Sequence, residues 1–274
     1  MSSRLLCPLE TVSEGRWLLH VADSCSTGVA GHRYLFGGSG LAAVIGVLEA
    51  ASCMAALRAE VQFLAPVPVG TSVVFTASAI GAGRRISHYR IEGWHGKQLV
   101  LAGSGSAGQG NPPSCSRLQW RKMPSASSPE DCPRVIAHHH AAEDIHGNLD
   151  ICVAKGRFGI FSREMASADG RVLAWLRPCD GIVDHQALAV MADFVPSTVG
   201  NALGVRAGGN SLDNQVRLLQ CPETDWVLGE YSIDGLADDI AHGHVHLFAQ
   251  DGRLMAIGSQ TFKVRRIARQ DDLK

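Results

Sequence analysis

Apolar residues crowd the stretch 37–58 on nearly every side. Leu41, Val44, Ile45, Val47, Leu48 and Met54 leave no polar face, and a helix that is apolar all round is a buried one. It opens on Gly37-Gly38-Ser39-Gly40. Strand-like stretches then follow at 59–64, 71–80, 84–94 and 98–107, with 16–21 as an upstream candidate. Pro66 and Pro68 punctuate the first link, and Gly81-Ala82-Gly83 and His95-Gly96 sit where hairpin turns belong. The pattern predicts one central helix followed by a four-stranded antiparallel meander.

The second half has the same order. Residues 185–203 read as a helix with Leu188, Val190, Met191, Phe194 and Val195 as its apolar content. Pro196 should kink or divide it, because the ring removes a backbone donor and crowds the preceding turn. Strands are predicted at 211–219, 226–233, 240–248 and 254–264, with Asp251-Gly252 as a hairpin turn and 157–163 as the upstream strand. The letters repeat as well: Gly96-Lys97-Gln98-Leu99-Val100-Leu101-Ala102-Gly103-Ser104-Gly105 returns as Gly252-Arg253-Leu254-Met255-Ala256-Ile257-Gly258-Ser259-Gln260. That interval is about half the chain, too long for a solenoid and suited to a duplicated domain.

The predicted organisation is an N-terminal repeat at 1–110, a linker at 111–148 and a C-terminal repeat at 149–274. The linker is rich in Pro, Ser, Asn and His and reads as a long, partly mobile crossover. The fold class is α+β: each repeat lays a helix on an antiparallel sheet, and the two sheets pair edge to edge into one continuous sheet.

Composition narrows the function. The 274 residues, 46% hydrophobic, suffice for two domains of ordinary size. A formal net charge of −1 gives no footprint for a phosphate backbone, so nucleic acid is an unfavoured partner. No apolar run approaches the ~20 residues that span a bilayer, and neither a signal peptide nor a presequence is visible, so a cytoplasmic protein without membrane contact is expected. The eight cysteines are scattered without a Cys-x-x-Cys pair and read as reduced thiols.

Three polar residues of the second repeat carry the candidate chemistry. Asp193 lies in Ala189-Val190-Met191-Ala192-Asp193-Phe194-Val195, where a carboxylate must be neutralised or hydrogen-bonded, and the first repeat has Gly38 near that position. Ser211 begins the next strand, loosely aligned with Ala59 or Glu60, and Gln260 stands where the first repeat has Gly105. Polar groups held by one copy imply a shared scaffold with different chemistry. The histidines 138–140, with Glu143, Asp144 and His146, sit consecutively in the linker and do not converge as metal ligands would; His242, His244 and His246 alternate and share one strand face. No metal is expected.

Phe36-Gly37-Gly38, the run from Val61-Gln62-Phe63 to Gly70, Ala192-Asp193-Phe194-Val195-Pro196, Ser211-Leu212-Asp213-Asn214 and Ser259-Gln260 together resemble the double-hotdog acyl-CoA thioesterases of the TesB-like type, over roughly residues 15–266. The resemblance implies a double hotdog and a hydrolytic water held by Asp193, Ser211 and Gln260. It implies an acyl-CoA or related acyl thioester as substrate, without a cofactor. The chemistry agrees, since thioester hydrolysis needs an oriented water, a proton acceptor and a donor for the oxyanion. Backbone N–H groups at Gly37 and Gly38 would polarise the carbonyl. Apart from the resemblance, Arg84-Arg85 and Arg265-Arg266 lie near turns or strand ends, where each pair reads either as solvated turn arginines or, for Arg84 and Arg85 above all, as bidentate donors to the phosphates of coenzyme A. The sequence departs from the family in having Asn214 where His is frequent and Thr261-Phe262 after the glutamine. Exposed sheet edges would support a homodimer of double hotdogs.

Two rival functions use the same scaffold. One is a non-catalytic acyl-thioester-binding protein. The other is an enoyl-thioester hydratase or dehydratase, which needs an Asp and a His close together, whereas Thr198 stands five residues after Asp193 and His185 eight before it.

Overall fold

The computed structural model describes residues 9–29, 31–109, 118–135, 144–160, 162 and 164–266. The first half runs β1 (Leu9–Ser13), β2 (Arg16–His20), a separate small hairpin of β3 (Ser26–Val29) and β4 (His32–Leu35), then α1 (Gly37–Ser52), β5 (Ala56–Phe63), β6 (Ser72–Ala82), β7 (Ile86–His95) and β8 (Gln98–Gly108). The second half runs β9 (Leu149–Lys155), β10 (Val172–Pro178), α2 (His185–Ala192), a 3₁₀ turn at Val195–Thr198, α3 (Val199–Leu203), β11 (Ala207–Ser211), β12 (Asp213–Leu218), β13 (Val227–Ala237), β14 (Ile240–Ala249) and β15 (Leu254–Arg266).

Among the described residues one large antiparallel sheet has the order β1-β2-β6-β7-β8-β5-β12-β15-β14-β13-β10-β9, with β11 also on β15. The order is a palindrome about the β5–β12 junction, where Asp213 pairs with Gln62 and Val216 with Ala59. Two copies of one helix-on-sheet unit are thus joined edge to edge. This is the double hotdog.

Two details correct the sequence reading. The four strands of a half are not a simple meander: β5 leaves the helix and pairs with β8, the last of them, while β6 and β7 continue outward. Pairing first with last puts the strand nearest the helix at the centre, where its other edge meets its counterpart. The upstream strand of the second half is not at 157–163, whose described residues 157–160 are irregular. β10 takes that place, paired with β13 as β2 is with β6. Arg157 instead spends its backbone N–H on the side-chain oxygen of Asn201, at 3.0 Å, in a loop under α3.

α1 is held by packing, not by propensity. It starts with three glycines in four residues, poor helix formers, yet Leu41, Val44, Ile45, Val47 and Leu48 are fully buried. Each large aliphatic side chain so buried contributes about 2 kcal/mol. Antiparallel to it lies α2, and the ends of the pair are tied by His185 Nδ1 and Glu49 Oε1 at 2.7 Å. Pro196 does divide the second helix: α2 stops at Ala192 and helical structure resumes at Val195.

The described part of the expected linker is packed. Residues 119–135 cross the outer face of the second sheet, where Met123, Ala126 and Cys132 join a cluster with Cys152, Leu173, Trp175, Trp226 and Phe248. Trp175 Nε1 donates to Ser127 O at 2.8 Å, and Arg121 with Arg171 pairs with the buried Glu230 at 2.7 and 3.1 Å. Val135 and Pro133 then bond Ile151 and Val153, covering the β9 edge. The histidines 138–140 lie outside the described residues. The six described cysteines, Cys25, Cys53, Cys132, Cys152, Cys179 and Cys221, are free thiols. No helix among the described residues is long and apolar enough to cross a membrane.

Candidate active site

The break in the second helix builds the site. Asp193 is the C-cap of α2, with φ −80° and ψ 4°, and its own N–H still reaches Val190 O at 3.2 Å. A continuous helix would carry this side chain onward along the apolar stripe. The break turns it toward the N-terminus of α1 instead. There the N-cap is Phe36, and the first intrahelical bond is Gly40 N–H to Phe36 O at 3.0 Å, so the N–H groups of Gly37, Gly38 and Ser39 have no acceptor within the helix. Gly38 donates its N–H to Asp193 Oδ2 at 2.5 Å. The positive end of α1 therefore faces the carboxylate across the junction of the two halves.

Both glycines are required by this approach. A Cβ at Gly37 would stand 2.7 Å from Asp193 Oδ2, and one at Gly38 would stand 2.8 Å from Asp193 Cβ and 2.9 Å from Val190 Cα. No side chain fits.

The other carboxylate oxygen, Oδ1, accepts from Asn214 Nδ2 at 2.9 Å and from Gln260 Nε2 at 2.5 Å. Gln260 Nε2 also donates to Ser211 Oγ at 2.7 Å. Asp193, Asn214 and Gln260 are each at most 3% exposed, whereas Ser211 is only half-buried and forms the side of the cluster toward solvent. Asn214 Oδ1 and Gln260 Oε1 are buried acceptors with no donor among the described residues. Burial raises the Asp193 pKa more strongly than the bonds from Gly38, Gln260, Asn214 and Ser211 lower it, and the net effect pushes it up to about 7. Beneath the site Tyr231, fully buried, donates its hydroxyl to Met191 O at 2.8 Å and so satisfies a carbonyl of the last turn of α2. Burial, and then the charge of Asp193, raise the Tyr231 pKa and keep it a phenol. Aromatic rings close the surroundings: Phe36 and Phe158 lie 5.4 and 5.6 Å from Phe194, and His146 lies 5.8 Å from it.

The structure thus brings Asp193, Ser211, Gln260, Gly37 and Gly38 together. It spends the Gly38 N–H on Asp193, so of the first three amides of that helix end those of Gly37 and Ser39 are left without an acceptor inside the helix. Arg84 and Arg85 are not brought to this cluster. They are exposed in the turn between β6 and β7, a hairpin whose Tyr89 hydroxyl reaches Ala51 O at the C-terminal end of α1. Asp193 sits at the opposite end, roughly 20 Å away along a 16-residue helix at about 1.5 Å per residue. His242 and His244 contact Thr261 and Asp234 on the outer sheet face, and no group of three metal-ligating side chains gathers among the described residues.

Tyr231 is the site residue the sequence reading missed, and Asn214, noted there only as a departure from the family, had been given no role. The signal for Asn214 lies in the strand register. Ala59 pairs with Gly105 in the first half, and one step beyond the Gln215–Ser259 pair sets Asn214 opposite Gln260 in the second. Ala59 therefore corresponds to Asn214, and Ser211 corresponds to Ala56. A buried Ala–Gly pair in one copy has become a buried Asn–Gln pair in the other.

Comparison with known proteins agrees with this architecture. By sequence, residues 129–264 match the acyl-CoA thioesterase C-terminal domain and residues 17–102 match the thioesterase superfamily. No curated protein sequence matches significantly. Among solved structures, a candidate thioesterase from Novosphingobium aromaticivorans superposes with a TM-score of 0.83 at 28% identity, covering 93% of this chain and 97% of that one. A protein with a hotdog fold from Alicyclobacillus acidocaldarius gives 0.78 at 20% identity, covering 95% and 97%. The acyl-CoA thioesterase II TesB2 from Mycobacterium marinum gives 0.72 at 17% identity, covering 96% and 97%, a likeness of fold.

Proposed function

The chain belongs to the thioesterase superfamily, and from that premise we propose that it hydrolyses an acyl-CoA to a carboxylic acid and free coenzyme A by direct attack of water. The observation that carries the proposal is the buried Asp193 carboxylate, ringed by Gly38, Asn214 and Gln260, with the half-buried Ser211 bonded to Gln260 beside it. Burying a carboxylate costs free energy that its hydrogen bonds only partly offset, and groups with pKa values shifted in this way concentrate at functional sites.

In this reading a water lies against Asp193, Ser211 and Gln260. Its protons have acceptors in the carboxylate and in the orphaned side-chain oxygens of Asn214 and Gln260. The water oxygen bonds the thioester carbon while Asp193 takes its proton, and the carbonyl oxygen becomes an oxyanion facing the Gly37 and Ser39 N–H groups. The tetrahedral adduct collapses, the C–S bond breaks, and the proton on Asp193 passes to the leaving thiolate. A group with a pKa of about 7 suits both halves of that exchange, because it can accept a proton and return it near neutral pH.

The test is release of free thiol from a panel of acyl-CoAs. Asp193→Asn and Gln260→Ala should each lose about a hundredfold or more in kcat, the usual cost of about 3 kcal/mol for a transition-state hydrogen bond. Variants as fast as the wild type would overturn the site. A wild type that binds acyl-CoA and leaves it intact would favour the non-catalytic binding protein.

A further inference from the structure

The glycines that open α1 do a second thing that the hydrolytic reading does not use. Gly37 and Gly40 are three residues apart and so share a helix face. The ring of Phe63 lies over both: its Cζ is 3.1 Å from where a Cβ of Gly37 would stand, and its Cε1 is 3.4 Å from that of Gly40. The side chain of Leu101 comes next, at 3.5 Å from the same Gly40 position. The other neighbour of Gly37 is the Asp193 carboxylate. One bare α-carbon therefore touches the reacting group on one side and a phenyl ring on the other.

Phe63 is the last residue of β5 and is half-buried. Its backbone N–H donates to Leu212 O at 2.9 Å, and Leu212 follows Ser211 in the chain. Leu64, next in the chain, and Leu212, whose carbonyl Phe63 bonds, are 51% and 43% exposed, so the ring has apolar surface on its outer side. The ring thus lies between an exposed apolar rim and the carboxylate, on a floor of two glycines with Leu101 as a wall.

We propose that Phe63 determines which acyl groups this site accepts, its ring filling an apolar slot beside Asp193 and limiting the chain length that can lie along α1. The proposal rests on the thioesterase reading for its substrate class. It differs from that reading in predicting a preference for short acyl groups that one side chain sets. Phe63→Ala exposes the glycine floor and should admit long chains; Phe63→Trp fills more of the slot and should narrow the range further.

Two measurements keep the ideas apart. The first is kcat/KM for straight-chain acyl-CoAs from four to sixteen carbons. The expected result is that Phe63→Ala raises the ratio of long-chain to short-chain kcat/KM by about tenfold or more while Phe63→Trp lowers it, since each further methylene buried in the slot adds to affinity. The second is equilibrium binding of non-hydrolysable acyl-CoA thioethers of the same lengths, which reads the slot without turnover. A wild type that hydrolyses nothing but whose thioether binding shifts with Phe63 would sink the hydrolase and leave the slot standing. Length profiles that are unchanged in both variants, in hydrolysis and in binding, would overturn the role of Phe63 and leave the hydrolase untouched.

Discussion

Asp193 accepts three N–H bonds, from Gly38, Asn214 and Gln260, and burial still raises its pKa to about 7. That balance has a consequence for stability. In the unfolded chain the group titrates near the ordinary aspartate value of 3.8, so between about pH 4 and 7 the folded protein holds a proton that the unfolded chain has released. Stability from this group is greatest below pH 4, falls as pH rises, and is lost above about 7, by an amount on the order of 4 kcal/mol at 1.36 kcal/mol per pKa unit. Asp193→Asn removes the titration. Chemical denaturation at pH 5 and pH 8 should show wild-type stability declining between the two and the variant declining less, becoming the more stable protein at pH 8 while hydrolysis is lost. Asn214→Ala removes one donor that favours the charged form, so the Asp193 pKa should rise and the acid limb of kcat/KM should move to higher pH, with activity at neutral pH reduced about tenfold. Of these residues, Asp193 and Gln260 were legible because each is a polar letter set in an apolar run or a repeat. Asn214 was not, because its partner is fixed by cross-strand register, whereas the letters alone align Ala59 or Glu60 loosely with Ser211.

At the scale of elements, the same break explains why one copy holds the buried polar cluster and the other does not. In the first half α1 runs unbroken over β8, and a Cβ on Gly105 would stand 2.5 Å from Leu48 Cδ2. In the second half helical structure is interrupted after Ala192, and the corresponding position carries the full side chain of Gln260. Pro196 announced that interruption in the sequence, and the glycines announced the close approach at the start of α1. Gly38→Ala should therefore test the junction: its methyl would meet Phe36 and the Val190 backbone within 3 Å. Thermal unfolding should show a destabilisation of about 1–3 kcal/mol, and hydrolysis should fall with it because Asp193 is displaced. A variant with wild-type Tm and rate would mean that this contact is slack. The upstream strand of the second half was not legible, since 157–163 has strand-like letters while Gly156, at positive φ, and the bond from Arg157 N–H to Asn201 turn the chain out of strand geometry at the start of that stretch. The offset of 155 positions that relates Gly105 to Gln260, applied to β2, would have landed on β10.

Across the whole molecule, the duplicated units make one sheet through β5 and β12, and the site straddles their junction with Gly38 from one half and Asp193, Ser211, Asn214 and Gln260 from the other. The repeat made that pairing foreseeable, because a helix on a sheet exposes an edge that a second copy can cover. What the letters did not reveal is how 119–135 wraps the outer face of the second sheet, since tryptophan and cysteine contacts across it follow no period. With its buried amide–carboxylate cluster on one side of the axis only, the fold leads to the proposed role of Asp193 as the group that takes the proton from water. The pH dependence of kcat/KM for a good acyl-CoA substrate tests it most directly. The account predicts a rise of about tenfold per pH unit below pH 7, a plateau above it, and no such limb in the residual activity of Asp193→Asn. A wild-type profile that stays flat from pH 5 to pH 8, or a limb that survives intact in Asp193→Asn, would contradict it.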